Sequence, residues 1–544
     1  MPGPTPSPDT CCGAEASHAV PVEATATACG EYIARDPTDS VLVRTVRKYL
    51  PRLLEATASD GQWALPRFVE QALRDLATCG DFTRGFTHFE CVRCHAPRIV
   101  PFSCKGRTCS SCGARRMSEF AAYAVDRLLP RADYRQWVVT FPWELRRTLA
   151  FDESAARTVF RIAGETISSW ISGAAKDLCG PARPAGLLYI QRFGDGLMLF
   201  PHGHFVFSDA VFAPTPPVTA TPSGTSGAPC AVVCHRVRPP SIQDLQSVVD
   251  TIERRVRRAL ARRSAASEGE DPSPDATDRA RLTQLANAAP VADQSPSRPV
   301  GSRPASPGAA KKPLAARSAG GFDVHAEVVI PAHARDALER LLRYLARPPV
   351  ASDRLRELPT GHIAVDLKRT WKNGVRTLTF TPLAFMARLA ALVPPPRMHL
   401  VSYFGVIAPH AALRTAVLPK PPPDGGVDPV APARPKRMLW KDLLRRVFWI
   451  DPLACPCGGR FRLVAVVRKP TVIQALCAAL HLSGHLAENR LPRGPPSHWP
   501  PPRPKARRTH GRAERTGATP KATRPASRAP RAPRPPPASR DAKP

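Results

Sequence analysis

The chain contains no run of 18 or more apolar residues, so no membrane-spanning helix is expected. Its opening, Met1-Pro-Gly-Pro-Thr-Pro-Ser-Pro8, lacks both the basic segment and the apolar stretch of a secretory leader, and the expected location is the cytoplasm. Acidic side chains are scarce: 45 Asp and Glu face 78 Lys and Arg, a net charge of +33. Such an excess makes a polyanion the expected partner, and nucleic acid is the commonest one. Hydrophobic periodicity is missing at both ends and in the middle. Residues 1–38 read as a disordered lead, 264–319 as a disordered insertion and 488–544 as a disordered basic tail rich in Pro, Arg, Lys and Ala. With no leader, the 15 cysteines favour metal binding over a disulfide framework.

What is present begins with helices. Val43, Val46, Leu50, Leu53 and Leu54 share one face, and Phe68, Val69, Ala72, Leu73 and Leu76 mark a second helix. Two knuckles follow, Cys91-Val-Arg-Cys94 and Cys109-Ser-Ser-Cys112, fourteen residues apart. This spacing predicts one four-thiolate zinc site formed by Cys91, Cys94, Cys109 and Cys112, with Cys79 and Cys104 as spare thiols able to replace a member. Lys105 and Arg107 border the second knuckle as candidate phosphate contacts, with a solvated basic loop as the alternative. Cys455 and Cys457 supply only half of a zinc site and read as a turn relic.

The centre of the chain reads as alternating strands and helices. Gln136 to Pro142 and Leu187 to Phe193 are predicted strands, separated by a helix from about Glu153 to Gly173. A third strand, Phe200-Pro-His-Gly-His-Phe-Val-Phe207, puts His202 and His204 side by side, because residues two apart in a strand share a face. A pair of imidazoles suits zinc, copper or iron as well as harder divalent ions, so it does not name the metal. In Phe322-Asp-Val-His-Ala-Glu-Val-Val-Ile330 the alternation places Asp323, His325 and Glu327 on one face. A helix over Ala334 to Arg347 carries Leu338, Leu341, Leu342 and Leu345 as its stripe, with Tyr344 off that stripe between Arg340 and Arg347. Pro348-Pro349 ends it. A hairpin turning at Lys372-Asn373-Gly374, a helix opening at Thr381-Pro382 and a helix over Trp440 to Phe448 complete the ordered stretches.

Several ordered segments resemble the rolling-circle, HUH-type transposases of the insertion sequence 91 family. They include Cys79-Gly-Asp-Phe82, the two knuckles, Phe102-Ser-Cys-Lys105, Arg135-Gln-Trp-Val-Val-Thr-Phe-Pro142 and Gln191-Arg-Phe-Gly194. His202-x-His204, Gly321-Phe-Asp-Val-His-Ala326, Arg343-Tyr-Leu-Ala-Arg-Pro-Pro349, Leu400 to Pro409 and Leu443 to Phe448 extend the match. The resemblance implies an α+β fold: an HUH-type antiparallel sheet with helices over residues 131–420, preceded by a helical and zinc-binding domain over 39–130. A linker at 421–437 and a small C-terminal module at 438–487 would follow.

The implied activity is nicking and rejoining of single-stranded DNA at element ends and target, through a 5′-phosphotyrosine. In that scheme His202, His204 and His325 hold Mg²⁺ or Mn²⁺, with Asp323, Glu327 or a glutamine as alternative third ligands. Tyr344 is the nucleophile, Arg340 and Arg347 bind the phosphate, and Tyr403 is the competing tyrosine. The implied setting is the bacterial nucleoid. Three departures from the family pattern stand out, one of them the shortened C-terminal cysteine turn at Cys455 and Cys457. Gly203 occupies a position that is usually bulky and apolar, which predicts weakened packing, and Arg340 stands where two-tyrosine members have a second tyrosine. Other readings of the same residues are an inactive DNA-binding derivative and a replication initiator or relaxase.

Overall fold

The computed structural model describes residues 40–58, 65–176, 182–215, 232–266, 274–291, 313–371, 374–419 and 438–479. The predicted lead, the linker at 421–437 and the basic tail lie outside these residues, as do Lys372 and Asn373 of the predicted turn. Among the described residues no helix is long and apolar enough to cross a membrane.

Helices α1 (Val41–Ala58) and α2 (Arg67–Ala77) form where the periodicity predicts them. A hairpin follows, β1 (Phe86–Cys91) and β2 (Pro97–Pro101), then helix α3 (Ser110–Tyr123), whose last turn widens into a π segment, Ala124–Leu128. The chain then builds β3 (Tyr134–Thr140), α4 (Trp143–Phe151), α5 (Glu153–Gly173), β4 (Ala185–Phe193) and β5 (Leu199–Ser208). A small hairpin, β6 (Ala210–Pro214) and β7 (Val232–Arg236), leads to α6 (Ile242–Ala266) and α7 (Pro274–Ala286). Next come β8 (Ala315–Arg317), β9 (Asp323–His325), β10 (Val329–Ile330) and α8 (Arg335–Leu345). The sequence continues through β11 (Leu355–Glu357), β12 (Ile363–Asp366), β13 (Thr377–Phe380), α9 (Pro382–Ala391), β14 (Val401–Gly405) and α10 (Arg414–Val417). It ends in α11 (Trp440–Phe448), β15 (Phe461–Val467) and α12 (Pro470–Ala479).

The fold is α+β. Its main sheet runs β14-β4-β5-β3-β9-β8, with β10 also on β3, and every pairing in it is antiparallel. Alternation along the strands loads both faces. Phe205, Phe207, Trp137 and Val139 turn to one side and bury against Phe160 and Ile167 of α5 and Leu245 and Ile252 of α6. Leu187, Tyr189, Val206 and Tyr134 turn to the other and meet Leu338, Leu342 and Leu345 of α8 and the end of α3. A sheet buried on both faces needs apolar residues at nearly every position, and β4 is buried throughout.

Three expectations change. Residues 264–319 were expected to lack structure, yet α7 and β8 lie within them. Leu282 is fully buried, with Leu285 and Ala286 beside it, in the cluster that α7 shares with α1, α2 and α9. Two leucines in a polar, Ala- and Arg-rich segment give little periodic signal, so this helix is held by its neighbours rather than announced by its own pattern. The stretch expected as a separate C-terminal module instead supplies β15, the third strand of the β1–β2 sheet, with Phe86 opposite Val467 and Cys91 opposite Phe461. The alternating run from Phe322 breaks after β9: Phe322, Val324 and Ala326 are buried, but Val328 turns out to solvent.

Candidate active site and zinc centres

The cysteines form two groups, Cys79, Cys104, Cys109 and Cys112, and Cys91, Cys94, Cys455 and Cys457. The single site expected from Cys91, Cys94, Cys109 and Cys112 therefore does not form. The β1–β2 hairpin explains why. Glu90 pairs with Pro97 near its tip and Phe86 with Pro101 at its base, so Cys91 and Cys94 belong to the tip while Cys109 and Cys112 follow the base. Five residues of strand hold these ends roughly 17 Å apart. At the base, Cys79 closes the group from before the hairpin and Cys104 from after it; at the tip, the Cys455 and Cys457 turn arrives from the far end of the chain.

Both groups fit zinc by donor chemistry and spacing. Sulfur–sulfur distances are 3.8 Å for Cys79 to Cys109, 3.8 Å for Cys79 to Cys112 and 3.6 Å for Cys104 to Cys112. They are 3.6 Å for Cys91 to Cys457 and 3.7 Å for Cys94 to Cys455. A tetrahedron with Zn–S bonds of about 2.3 Å has edges of about 3.8 Å, whereas a disulfide needs about 2.05 Å. Backbone amides stabilise the sulfurs, with Gly106 N–H donating to Cys104 Sγ at 3.3 Å and Arg93 N–H to Cys91 Sγ at 3.4 Å.

The histidine pair lies on β5, on the face covered by α8. His202 stands across β3 from Thr140 and His204 from Val138. On the other side of β5, His202 faces Gln191 and His204 faces Tyr189. The two imidazole centroids are 4.8 Å apart and both side chains are buried. His202 Nδ1–H donates to the Phe200 carbonyl at 2.8 Å, which leaves Nε2 with its lone pair. His204 Nδ1 meets the Gln136 amide at 2.8 Å, and its buried Nε2 has no partner. Burial presses both rings toward the neutral form that binds metal and the charge of Arg347 adds to it: His202 is lowered to about 4 against the opposing Phe200 hydrogen bond, and His204, also beside His202, falls well below its ordinary range.

Gly203 does not weaken this strand. A Cβ there would come within 2.6 Å of the Phe205 ring, and Phe160 and Leu188 also close on the space. The neighbouring aromatic rings fill the volume expected of a bulky residue.

Tyr344 faces the pair from the C-terminal end of α8, with its ring centroid 6.4 Å from that of His204. Its side chain stays exposed. Lys368 Nζ donates to the Tyr344 hydroxyl at 3.1 Å, and the Arg347 guanidinium lies 4.7 Å from the ring centroid. Burial opposes ionisation of the phenol, but the Lys368 hydrogen bond and the charges of Arg347, Lys368 and Arg369 outweigh it and lower its pKa below the usual tyrosine value. The Nε of Arg347 is buried without a partner. Lys368 carried no signal in the sequence: it follows β12, and only the return of that hairpin toward α8 brings it to Tyr344.

Other expected residues lie elsewhere. His325 is exposed on β9, in register with Val138 and thus two strands from His204, about 10 Å at the backbone. It does not gather with His202 and His204 as a ligand group, because alternation fixes the face of a residue but not which strands are neighbours. The glutamines closer to the pair are Gln136, bonded to His204, and Gln191, opposite His202. Arg340 is exposed on α8, away from the Tyr344 ring contacts. Lys105 is exposed, and Arg107 is half-buried with its guanidinium bonded to Tyr189. Tyr403 sits in β14 opposite Leu187, and burial raises its pKa.

Residues 47–141 match the transposase zinc-binding domain, and residues 186–414 match a family described as "Putative transposase". No curated protein and no solved structure matches the chain. The first match contains the Cys79, Cys104, Cys109 and Cys112 group and the second contains His202, His204 and Tyr344: the chain belongs to the insertion sequence 91 family of transposases.

Proposed function

We propose that this transposase cleaves and rejoins single-stranded DNA through a covalent link to Tyr344, in the cytoplasm at the nucleoid. The observation that carries the reading is the convergence, at the C-terminal end of α8, of a buried, unpaired His204 Nε2 and a buried, unpaired Arg347 Nε with an exposed, lysine-bonded phenol.

The Tyr344 oxygen attacks phosphorus, the bond from phosphorus to the 3′ oxygen breaks, and that oxygen leaves to become a 3′-hydroxyl. A 5′-phosphotyrosine remains, and attack by a 3′-hydroxyl reverses the step, so no external energy source is needed. Lys368 and Arg347 favour the phenolate, and Arg347 is placed to meet the phosphate. His202 and His204 fit a divalent ion: one ring has its Nε2 lone pair fixed by a carbonyl, and the other has a buried Nε2 without a partner. Mg²⁺ or Mn²⁺ held there supplies Lewis-acid polarisation of the scissile phosphate. Gln136 Nε2 lies 2.8 Å from His204 Nδ1; an ion held through His204 Nε2 would need Nδ1 to carry the hydrogen and the Gln136 amide turned so that its oxygen accepts it.

The test is incubation of the protein with single-stranded element ends and Mn²⁺. A protein–DNA adduct that survives denaturant is expected from the wild type and from Tyr403→Phe, and none from Tyr344→Phe, which should keep its DNA affinity. A nucleotide mapped to Tyr403 would sink the assignment.

A further inference from the structure

The first zinc group does more than hold a fold together. Cys109 is the N-cap of α3 and Cys112 lies in its first turn, so a zinc ion held by this group would fix the direction of the helix. Counting on from Cys112, the residues Arg116, Phe120, Tyr123 and Arg127 follow at steps of four, four, three and four, which puts them on one side of the helix. That side forms a wall of a cavity of about 780 Å³, within the ~300–1,000 Å³ common for small-ligand sites. Tyr189 of β4 also lines it, as do Met438, just before α11, and Asp442 of α11.

Its chemistry is cationic and aromatic together. Lys105, Arg107, Arg115, Arg116 and Arg127 line it, and none of the five forms a salt bridge among the described residues. Three acids share the lining, but Asp126 is held by Arg446 at 3.0 Å, which leaves Glu119 and Asp442. Tyr123 is an exposed aromatic side chain and Phe120 packs at 5.5 Å from the Tyr189 ring. The cavity lies near the proposed catalytic residues. Tyr189 stands beside His204 across the β4–β5 pairing, and a smaller crevice shares Arg107, Arg116 and Tyr189 with the cavity and is also lined by Arg347.

We propose that this cavity receives an unstacked base of the DNA strand, one or two nucleotides from the scissile phosphate, with the Tyr123 ring stacking on it and Arg107, Arg116 and Arg127 holding the flanking phosphates. The proposal rests on the reading of the protein as a nuclease for single strands, since a paired base cannot leave its duplex to enter without cost. The zinc-binding segment thereby becomes part of the substrate site.

The experiment uses the full-length, zinc-loaded protein and single-stranded oligothymidylates, each carrying one photoreactive iodinated uracil at a different position. The expected crosslink falls on the peptide holding Phe120 and Tyr123, from one or two adjacent positions. Tyr123→Ala should lose it and bind about tenfold more weakly, Tyr123→Trp should restore both, and zinc content should be normal in each. Crosslinks elsewhere only, unchanged binding by Tyr123→Ala, or equal competition by duplex DNA would overturn the proposal. Adduct formation on Tyr344 is scored separately: an adduct without the crosslink removes the base pocket and leaves the nuclease, whereas the crosslink without an adduct does the reverse.

Discussion

At the scale of single residues, the proposed active site includes one cation that no motif contains. Lys368 donates to the Tyr344 hydroxyl, and in the proposed mechanism a cation on the phenol oxygen would make the attacking phenolate less costly to form. Lys368→Met is expected to slow adduct formation by about ten- to a hundredfold, with oligonucleotide affinity nearly unchanged, as read by single-turnover kinetics and equilibrium binding. Equal rates would show that Arg347 and Arg369 suffice. Gly203 carries a second expectation. Because a Cβ at this position meets the Phe205 ring at 2.6 Å, Gly203→Val must displace packed aromatic side chains. It should destabilise the fold by about 1–3 kcal/mol, seen as a lower denaturant midpoint, although valine is the better strand former.

At the scale of elements, the sequence was most readable where one face of one element carried the signal. The span of α5, the stripe of α8 and the Thr381 cap of α9 all follow from local pattern, and the Thr381 hydroxyl does accept from Ala384 N–H at 3.2 Å. The side-by-side placement of His202 and His204 followed from the same logic. What local pattern could not supply was adjacency. His325 has the expected face but the wrong neighbour strand, Lys368 reaches Tyr344 only through a hairpin, and α7 depends on leucines whose partners are a hundred residues away.

The start of α6 gives a test by pH at this scale. Ser241 Oγ accepts from Asp244 N–H at 3.1 Å while Asp244 accepts from Ser241 N–H at 2.8 Å, a reciprocal cap that Arg238 completes at 2.9 Å. The Arg238 hydrogen bond, reinforced by Ser241 and Trp170 against burial, lowers the Asp244 pKa. A lowered folded pKa means that the stabilisation is full above the unfolded value of about 3.9 and is lost as the pH falls through the folded value. Asp244→Asn should therefore be less stable than wild type at pH 7, with the gap closing below about pH 4. A gap independent of pH would show that charge plays no part in the cap.

For the whole molecule, the two cysteine groups predict two zinc ions per chain by elemental analysis. Cys104→Ser should remove the ion at the hairpin base and Cys455→Ser the ion at its tip, each leaving the other. The tip site includes the exposed Cys94, whereas three ligands at the base are buried, so a chelator should strip the tip first. One zinc per chain, or loss of both in either variant, would contradict this division. Sequence spacing could not show it, because Cys94 and Cys455 are separated by 361 positions and only the β1–β15 pairing brings them together.

That separation also sets a schedule for synthesis. At ~5–20 residues per second, the second cysteine pair leaves the ribosome roughly 20–70 s after the first. Until then the hairpin tip offers two thiols, too few for a tetrahedral zinc site. Metal capture at the tip thus reports that translation has passed Cys457, and a chain stopped earlier keeps an unfinished edge on β1 where β15 should lie. Such an edge is open to pairing with other strands, which would mark interrupted products for aggregation or proteolysis before they could handle DNA.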